Sequence, residues 1–168
     1  MPNIEKLSWL AGFWEGEGSV SIFRNKRETG TMKLTMTLTI VNTDPSLILE
    51  VLKIADELGV KFHLFEMKRD NIKHATAYQL TNRRLESSKI FLEAISPYMK
   101  GQKKQISELA LRFINSRIEK ISQNRNTPNT DEENEIADKV SGMNKRGITK
   151  DSQILNDYTL KTSNEVMI

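Results

Sequence analysis

Residues 10–19 read LAGFWEGEGS, and the periodicity of the chain changes within this stretch. From Ser19 onward, apolar and polar residues alternate with the period of two that is typical of a strand. The glycines on both sides of Glu17 permit the backbone angles that end a helix. The stretch therefore predicts a helix that runs directly into a strand. Its apolar stripe has helical spacing and comprises Ile4, Leu7, Leu10, Ala11, Phe13 and Trp14.

Two carboxylates, Glu15 and Glu17, lie at the C-terminal end of this predicted helix. A helix C-terminus carries partial negative charge, so acids there are locally unfavourable and favour a compensating cation. Mg²⁺ takes oxygen ligands and few of them from protein, so one or two carboxylates with phosphates and water suffice. The alternative is an ordinary helix end with solvated glutamates, and the spacing alone does not separate the two interpretations.

The same helix carries Gly12 and Gly16 four residues apart, which leaves one face without side chains. Such a face allows two helix backbones to approach closely. If the partner is the same helix of a second subunit, a two-fold axis brings two Glu17 carboxylates together. Adjacent acids are costly unless metal ions neutralise them, and such a pair can hold divalent ions for in-line attack on a phosphodiester.

Two strand pairs follow the motif. The first is a long antiparallel hairpin with an apolar face, formed on the return strand by Leu34, Met36, Leu38 and Ile40. The second pair covers about residues 60–69 and 74–82. The opposite face of the first hairpin carries hydroxyl, amide, aromatic and cationic side chains: Ser19, Ser21, Phe23, Asn25, Arg27, Lys33, Thr35, Thr37 and Thr39.

Helices separate and follow these hairpins. Asp44 and Pro45 are the N-cap and first residue of one helix, which Gly59 ends. Residues 84–96 have helical spacing, with an apolar stripe formed by Leu85, Ile90, Phe91 and Ala94, and residues 101–121 also have helical spacing. Thr130 with Glu133 forms a capping box for a short helix. The chain is thus an α+β protein with an α-β-β-α-β-β-α core over residues 1–123 and a C-terminal helical extension or tail over 124–168.

Composition limits the chemistry. The 168 residues fit one ordinary domain, and no cysteine is present, which excludes disulfides, cysteine-zinc sites and a thiol nucleophile. The sequence contains only two histidines, which argues against a histidine-rich metal site. No run approaches the roughly 20 apolar residues of a membrane span, and no leader with the pattern of a secretory signal opens the chain. We therefore expect an intracellular protein that does not enter membranes.

Charge is distributed unevenly along the chain, whose formal net charge is +3. Residues 1–130 hold 20 Lys and Arg against 14 Asp and Glu, whereas residues 131–168 hold 5 against 8. A basic body with a slightly acidic tail is consistent with a polyanionic partner such as nucleic acid. A solvated surface of mixed charge is the alternative.

The motif LAGFWEGEGS, followed by an amphipathic hairpin, resembles the signature of the LAGLIDADG homing endonucleases. The order of predicted elements matches the core of that family over residues 5–121. The motif occurs once, and single-motif members act as homodimers through their motif helices. The resemblance implies a homodimeric, Mg²⁺-dependent endonuclease that cuts both strands of double-stranded DNA across the minor groove of a long, roughly palindromic site. Such enzymes are commonly encoded within introns.

The resemblance also assigns site residues. Glu17 takes the place of the metal-binding acid, supported by the carbonyl of Gly16, while Glu15 is a peripheral, structural acid. Asp44 occupies the position of a residue that orients the attacking water, with helix capping as its alternative role. The family has a basic residue near the scissile phosphate. An ungapped alignment puts Gln102 at this position, whereas a shift of one residue puts Lys103 there, and we favour Lys103. The motif helix implies a dimer interface that includes Leu10, Gly12, Phe13 and Gly16.

The family's curved sheet lies along the major groove, and its DNA-facing positions fall on the polar face of the first hairpin. Arginine suits guanine edges, asparagine suits adenine, and threonine offers hydroxyl or methyl contacts. In the second hairpin Gln79 and Thr81 are candidates for base contacts, and we expect Lys68 to contact the DNA backbone. Arg24 and Lys26 are further candidates for phosphate contacts. Ordinary strand preference on a solvated face is the alternative explanation of the threonines.

The leading interpretation is a site-specific DNA endonuclease associated with DNA in a prokaryotic cytoplasm or an organelle. The alternative is a non-cleaving nucleic-acid-binding protein on the same scaffold. It would be an RNA maturase with intron RNA as its partner, or a DNA-binding regulator. A small-molecule enzyme is disfavoured because the sequence has no phosphate-binding loop or nucleophile signature.

Overall fold

The computed structural model of the chain describes residues 1–26, 28, 30–67, 76–123 and 128–145. It confirms the α+β class and the predicted order of elements. The helices and strands are α1 (Ile4–Glu17), β1 (Gly18–Lys26), β2 (Met32–Asn42), α2 (Pro45–Glu57), β3 (His63–Met67), β4 (Ala77–Asn82), α3 (Leu85–Ile95), a 3₁₀ turn (Ser96–Tyr98), α4 (Gln102–Gln123) and α5 (Asp131–Asn144).

The four strands form one antiparallel sheet in the order β1-β2-β4-β3. Gly18 at the start of β1 pairs with Ile40 near the end of β2. The second hairpin joins the first through β4, where Thr81 lies between Thr39 of β2 and His63 of β3. Strands β2 and β4 are therefore the inner strands, and β1 and β3 are the edges.

One face of the sheet is buried beneath the helices. The predicted apolar row of β2 is confirmed, since Leu34, Met36, Leu38 and Ile40 all lie in the hydrophobic core. In α3 the buried residues follow the spacing of Ser88, Phe91, Leu92 and Ile95. The prediction that Ile90 belongs to this stripe is wrong, because its position faces away from the stripe and the side chain is exposed. Ile4, in the first turn of α1, is also exposed.

Glycine is required where α1 meets β1. Gly18 is buried, and a Cβ atom at this position would collide with the indole ring of Trp14. Trp14 itself is buried and packs edge-on against Phe91 of α3. The last glycine of the motif therefore lets the strand start directly beneath the helix that precedes it.

Helix α5 is packed into the rest of the fold. Ile136, Ala137 and Val140 belong to the same hydrophobic core as the sheet residues. Side chains also join α5 to the edge strand, because Asn144 donates to the Val20 carbonyl oxygen over 2.7 Å. Proteins commonly protect the free edge of a sheet in this way. The division of the chain at residue 124 stays a prediction.

The predicted capping box of α5 is confirmed and is part of a buried ionic cluster. Thr130 accepts from the Glu133 backbone N–H, and the Glu133 carboxylate accepts from that of Thr130. The fully buried Glu133 also lies 2.9 Å from Lys120 Nζ and 3.5 Å from Arg117 Nη1 of α4. Burial alone would raise the pKa of Glu133. The hydrogen bonds from Lys120, Thr130 and Ser116, with the charge of Arg117, outweigh burial and hold the pKa below its ordinary value.

None of the described helices combines the length and the apolar character that crossing a membrane requires.

Candidate functional site

The candidate active site begins at the C-terminal end of α1. Glu17 is the last residue of the helix and its side chain is exposed. Among the residues that the structure describes, no hydrogen bond or ion pair engages its carboxylate. Its neighbour Glu15 is half-buried and has defined partners, so the two acids of the motif occupy different environments.

Lys103 lies beside this helix end. Its Nζ donates to the carbonyl oxygens of Gly16 (3.1 Å) and Trp14 (3.3 Å) in the last turn of α1, and the Trp14 oxygen also accepts from the Gly18 backbone N–H. A cation here is favoured by the helix dipole. Burial lowers the pKa of Lys103, while the charges of Glu17 and Glu15 oppose that effect. The structure therefore brings a half-buried ammonium group next to the exposed carboxylate of Glu17.

Gln102 does not take this position. Its Nε2 donates to the Met143 carbonyl oxygen at the end of α5 over 2.8 Å. The side chain thus connects the start of α4 to α5, and a role of Gln102 near the scissile phosphate stays a prediction. Successive helical residues point in different directions, so the shift from residue 102 to 103 decides which side chain reaches α1.

Asp44 caps α2. Its Oδ1 accepts from the Ser46 backbone N–H (2.8 Å) and hydroxyl (2.6 Å), and its own N–H donates to Asn42 Oδ1 (2.8 Å). The hydrogen bonds from the Ser46 side chain and backbone lower the pKa of Asp44. The capping role is confirmed. Because Gly18 pairs with Ile40, Asp44 follows β2 at the same end of the hairpin at which Glu17 precedes β1.

The donors at this end of the molecule are oxygen atoms. The Glu17 carboxylate and the Gly16 carbonyl are oxygen donors of the kind that Mg²⁺ and Ca²⁺ take. Within the described ranges, no group of three or more acidic, histidine or cysteine side chains is gathered for a metal. The donor chemistry fits a hard divalent ion, but the described part of one subunit supplies a single free carboxylate here.

Of the residues predicted to form a dimer face on α1, the structure leaves some accessible and buries one. Added Cβ atoms at Gly12 and Gly16 would meet nothing within 4 Å in the described part of the subunit. Phe13 is half-buried and stacks on the exposed Trp9, with ring centroids 5.3 Å apart. Leu10 is fully buried in the core of its own subunit, so its predicted place on this face is wrong. The helical period puts it with Ala11 and Trp14 instead.

The second feature is the outer face of the sheet, opposite to the buried row of β2. Residues paired across antiparallel strands point to the same side, so the register assigns this face without ambiguity. Its cross-strand rows include Ser19-Thr39-Thr81-His63, Ser21-Thr37, Phe23-Thr35, Asn25-Lys33 and Val41-Gln79-Phe65.

Exposure separates the predicted contact residues on this face. Phe23, Asn25 and Lys33 are exposed, whereas Thr37 and Thr81 are only 6% and 8% exposed. Both threonines lie on inner strands, where neighbouring strands leave little of a short side chain accessible, and their role as DNA contacts stays a prediction. The remaining predicted positions are half-buried: Ser19, Ser21, Thr35, Thr39 and Gln79.

Three further basic residues were predicted to contact DNA: Arg24, Arg27 and Lys68. Arg24 pairs with Leu34 in the register and so faces the helices, where it makes a two-bond ion pair with Asp138 at 2.8 and 3.1 Å. The ion pair engages its guanidinium in this structure, and a phosphate contact by Arg24 stays a prediction. Arg27 and Lys68 lie outside the described residues.

Sequence reasoning missed the contribution of β3. His63 and Phe65 pair with Thr81 and Gln79, so they belong to the outer face and both are exposed. The strand is apolar on both sides, and alternation alone could not assign its faces. His63 and Phe65 also line a cavity of about 390 Å³, together with the basic side chains of Lys61, Arg83 and Arg84. Its other lining residues are Thr81 and Asn82.

The family to which this geometry points is established by sequence comparison. The model of the LAGLIDADG-like domain matches residues 5–96, more than half of the chain, and the protein belongs to this family. No curated protein sequence matches the chain.

Solved structures agree on the fold. The homing endonuclease I-CvuI, in complex with its target, has 21% identity and a TM-score of 0.60, covering 88% of this chain and 89% of its own. The archaeal intron-encoded homing endonuclease I-Vdi141I, complexed with DNA, has 16% identity and a TM-score of 0.64, covering 87% and 88%. The meganuclease I-SmaMI, bound to DNA, has 20% identity and a TM-score of 0.59, but only 47% of its chain is covered, against 87% of this one.

Proposed function

We propose that the protein is a site-specific homing endonuclease that cuts both strands of a long, roughly palindromic DNA site as a homodimer, with Mg²⁺ or a related divalent ion. The observation that carries the proposal is the state of Glu17. This carboxylate is exposed and has no hydrogen-bond partner in the described part of the chain, at the end of a helix whose Gly12–Gly16 face is open. It is available to act on something outside the subunit.

Hydrolysis of a phosphodiester requires an activated water and stabilisation of the negative charge that develops on the phosphoryl oxygens. A divalent ion held by Glu17 and the Gly16 carbonyl would supply both effects. Lys103, whose Nζ already lies 3.1 Å from the Gly16 carbonyl oxygen, places a positive charge where such an anion would form. Asp44, at the same end of the hairpin, offers a further acceptor for a water molecule.

A second subunit would complete this arrangement. The described part of one subunit offers one free carboxylate at the motif, whereas cleavage of both strands requires two reaction centres. The chain spans nearly all of I-CvuI and I-Vdi141I but about half of I-SmaMI. This relation supports a unit that pairs with a copy of itself, through the open glycine face and the exposed Trp9–Phe13 stack.

DNA is the polyanion that best fits the outer face. The face displays amide, hydroxyl, aromatic and cationic groups that suit base edges and phosphates. The exposed representatives are Phe23, Asn25 and Lys33, and His63 and Phe65 extend the face across β3. I-CvuI is in complex with its target and I-Vdi141I is complexed with DNA, which supports DNA as the ligand of this fold.

The decisive experiment measures cleavage of DNA that carries the uninterrupted form of the locus encoding the protein. An intron location for the gene would define this substrate. Wild-type protein should produce a double-strand break with Mg²⁺ and none with a chelator. Glu17→Gln should bind without cutting, while Glu119→Gln, the same change at an exposed position late in α4, should cut normally.

Sequence-specific binding without metal-dependent cutting would contradict the nuclease proposal. It would favour the alternative, a non-cleaving protein on the same scaffold. Intron RNA and the same DNA, offered as competitors for the wild-type protein, would then separate a maturase from a DNA-binding regulator. We further propose that the protein acts inside the cell where its DNA lies.

A further inference from the structure

The two glutamates of the motif have separate partners. Glu15 Oε1 accepts from the backbone N–H groups of Lys100 and Gly101, at 2.8 and 2.7 Å. These groups immediately precede α4, which starts at Gln102. The N-terminal end of a helix carries partial positive charge, so a carboxylate is favoured beside it. Glu15 thus caps the start of α4 from a position far away in the sequence.

The reverse connection is made by Lys103. Located in the first turn of α4, it donates from Nζ to the Trp14 and Gly16 carbonyl oxygens at the end of α1. Each helix therefore caps the other: an acid from the end of α1 holds the start of α4, and a cation from the start of α4 holds the end of α1. Lys103 thus contacts Gly16, the single residue that separates Glu15 from Glu17.

We infer that Glu15 is a positioning residue, which fixes the first turn of α4 so that the Lys103 ammonium group stays beside Glu17. The inference rests on the proposed function, because it assigns a task within that active site. Glu15 itself does not contact the reacting atoms. Its carboxylate is occupied by two backbone donors, whereas that of Glu17 is free within the described part of the chain.

The geometry explains why the motif carries two acids so close together. A side chain shortened at position 15 would release Lys100 and Gly101, and the start of α4 would lose its anchor on α1. The Lys103 side chain is long and has many rotamers, so its place depends on where its backbone begins. Small misplacement of a catalytic group is enough to cost a large part of the rate.

Two double-mutant cycles test this inference, each built from Glu15→Ala, Lys103→Met and the combined variant. The first cycle measures unfolding in urea at one protein concentration, without DNA or metal. The second measures the single-turnover cleavage rate on saturating target DNA with Mg²⁺. Glu15→Gln is the conservative control, since its amide oxygen still accepts from both backbone N–H groups.

We expect non-additive effects in both cycles, because Lys103→Met should matter little once Glu15 no longer fixes α4. Glu15→Ala should slow cleavage by about 10-fold to 100-fold, with little change in DNA affinity, and Glu15→Gln should restore most of the rate. Additive effects on unfolding would overturn the inference. A wild-type protein that binds DNA but never cuts it would overturn the proposed function instead, and the unfolding cycle would still decide whether Glu15 holds Lys103.

Discussion

The side-chain nitrogen of Lys103 lies 3.1 Å from the carbonyl oxygen of Gly16, one residue before Glu17. This contact joins the start of α4 to the end of the motif helix, although the two residues are far apart in the chain. It places opposite charges close together at a helix end, and burial lowers the pKa of the lysine while the two neighbouring glutamates act against that change. The same contact leads to the first prediction.

Lys103→Met should slow the chemical step strongly. The variant keeps most of the length of the side chain but removes its charge and its hydrogen bonds to α1. Loss of one preorganised group that stabilises developing negative charge typically costs about 10²-fold to 10³-fold in rate. Single-turnover cleavage with saturating DNA measures this effect. Lys104→Met, at the next position of α4, is the matched control and should retain nearly the full rate.

Gly12→Ala should weaken dimerisation without weakening the subunit. An added methyl group at Gly12 meets nothing within 4 Å in the described part of the subunit, and alanine favours a helix over glycine by about 1 kcal/mol. On the proposed dimer face the same methyl group would separate the two helices. Sedimentation equilibrium should show a shift toward monomer. Dimerisation as tight as that of the wild type would contradict the proposed interface.

Gly18→Ala is the contrasting substitution. Its methyl group would collide with the Trp14 indole inside the same subunit, so we expect a loss of folding stability as large as those caused by overpacking, about 1–3 kcal/mol. Urea unfolding of both glycine variants measures the difference. If Gly18→Ala were as stable as Gly12→Ala, the close packing of β1 beneath α1 would be wrong.

The order of elements could be predicted from local patterns because each boundary has a local cause. Glycine ends α1, Asp44 and Pro45 start α2, and Thr130 with Glu133 starts α5. The buried row of β2 followed from simple alternation. The α3 stripe was less accurate, since Ile90 is as apolar as its buried neighbours and only packing distinguishes them.

The candidate site was less predictable because it depends on contacts between distant parts of the chain. The motif singled out Glu17, but whether residue 102 or 103 reaches it depends on the rotation of α4. In the structure this end of α4 contacts two distant parts of the chain, because Glu15 accepts from the Lys100 backbone N–H and Gln102 donates to the Met143 carbonyl oxygen. Likewise, His63 and Phe65 could be assigned to the outer face only from their pairing with β4.

Lys33→Ala should reduce DNA affinity in a salt-dependent way. Lys33 is exposed at the outer face, opposite Asn25, which donates to Thr35 Oγ1 over 3.1 Å. If Lys33 contacts a phosphate, its removal should reduce the slope of log affinity against log salt by about 0.9. Titrations over a range of salt concentrations measure this slope. Lys53→Ala, on the exposed side of α2, should leave it unchanged.

Glu133→Gln should destabilise the protein and remove part of its sensitivity to acid. The substitution leaves the charges of Lys120 and Arg117 without their buried partner, which should lower the free energy of unfolding by about 1–3 kcal/mol at neutral pH. In the native protein the pKa of Glu133 is lowered. Its contribution to stability is therefore fully present above the pKa of the unfolded chain and is lost as the pH falls through the lower, folded pKa. Urea unfolding from neutral to acidic pH should show wild type and variant converging as the pH falls. A constant difference across that range would contradict an ionised Glu133 in the folded state.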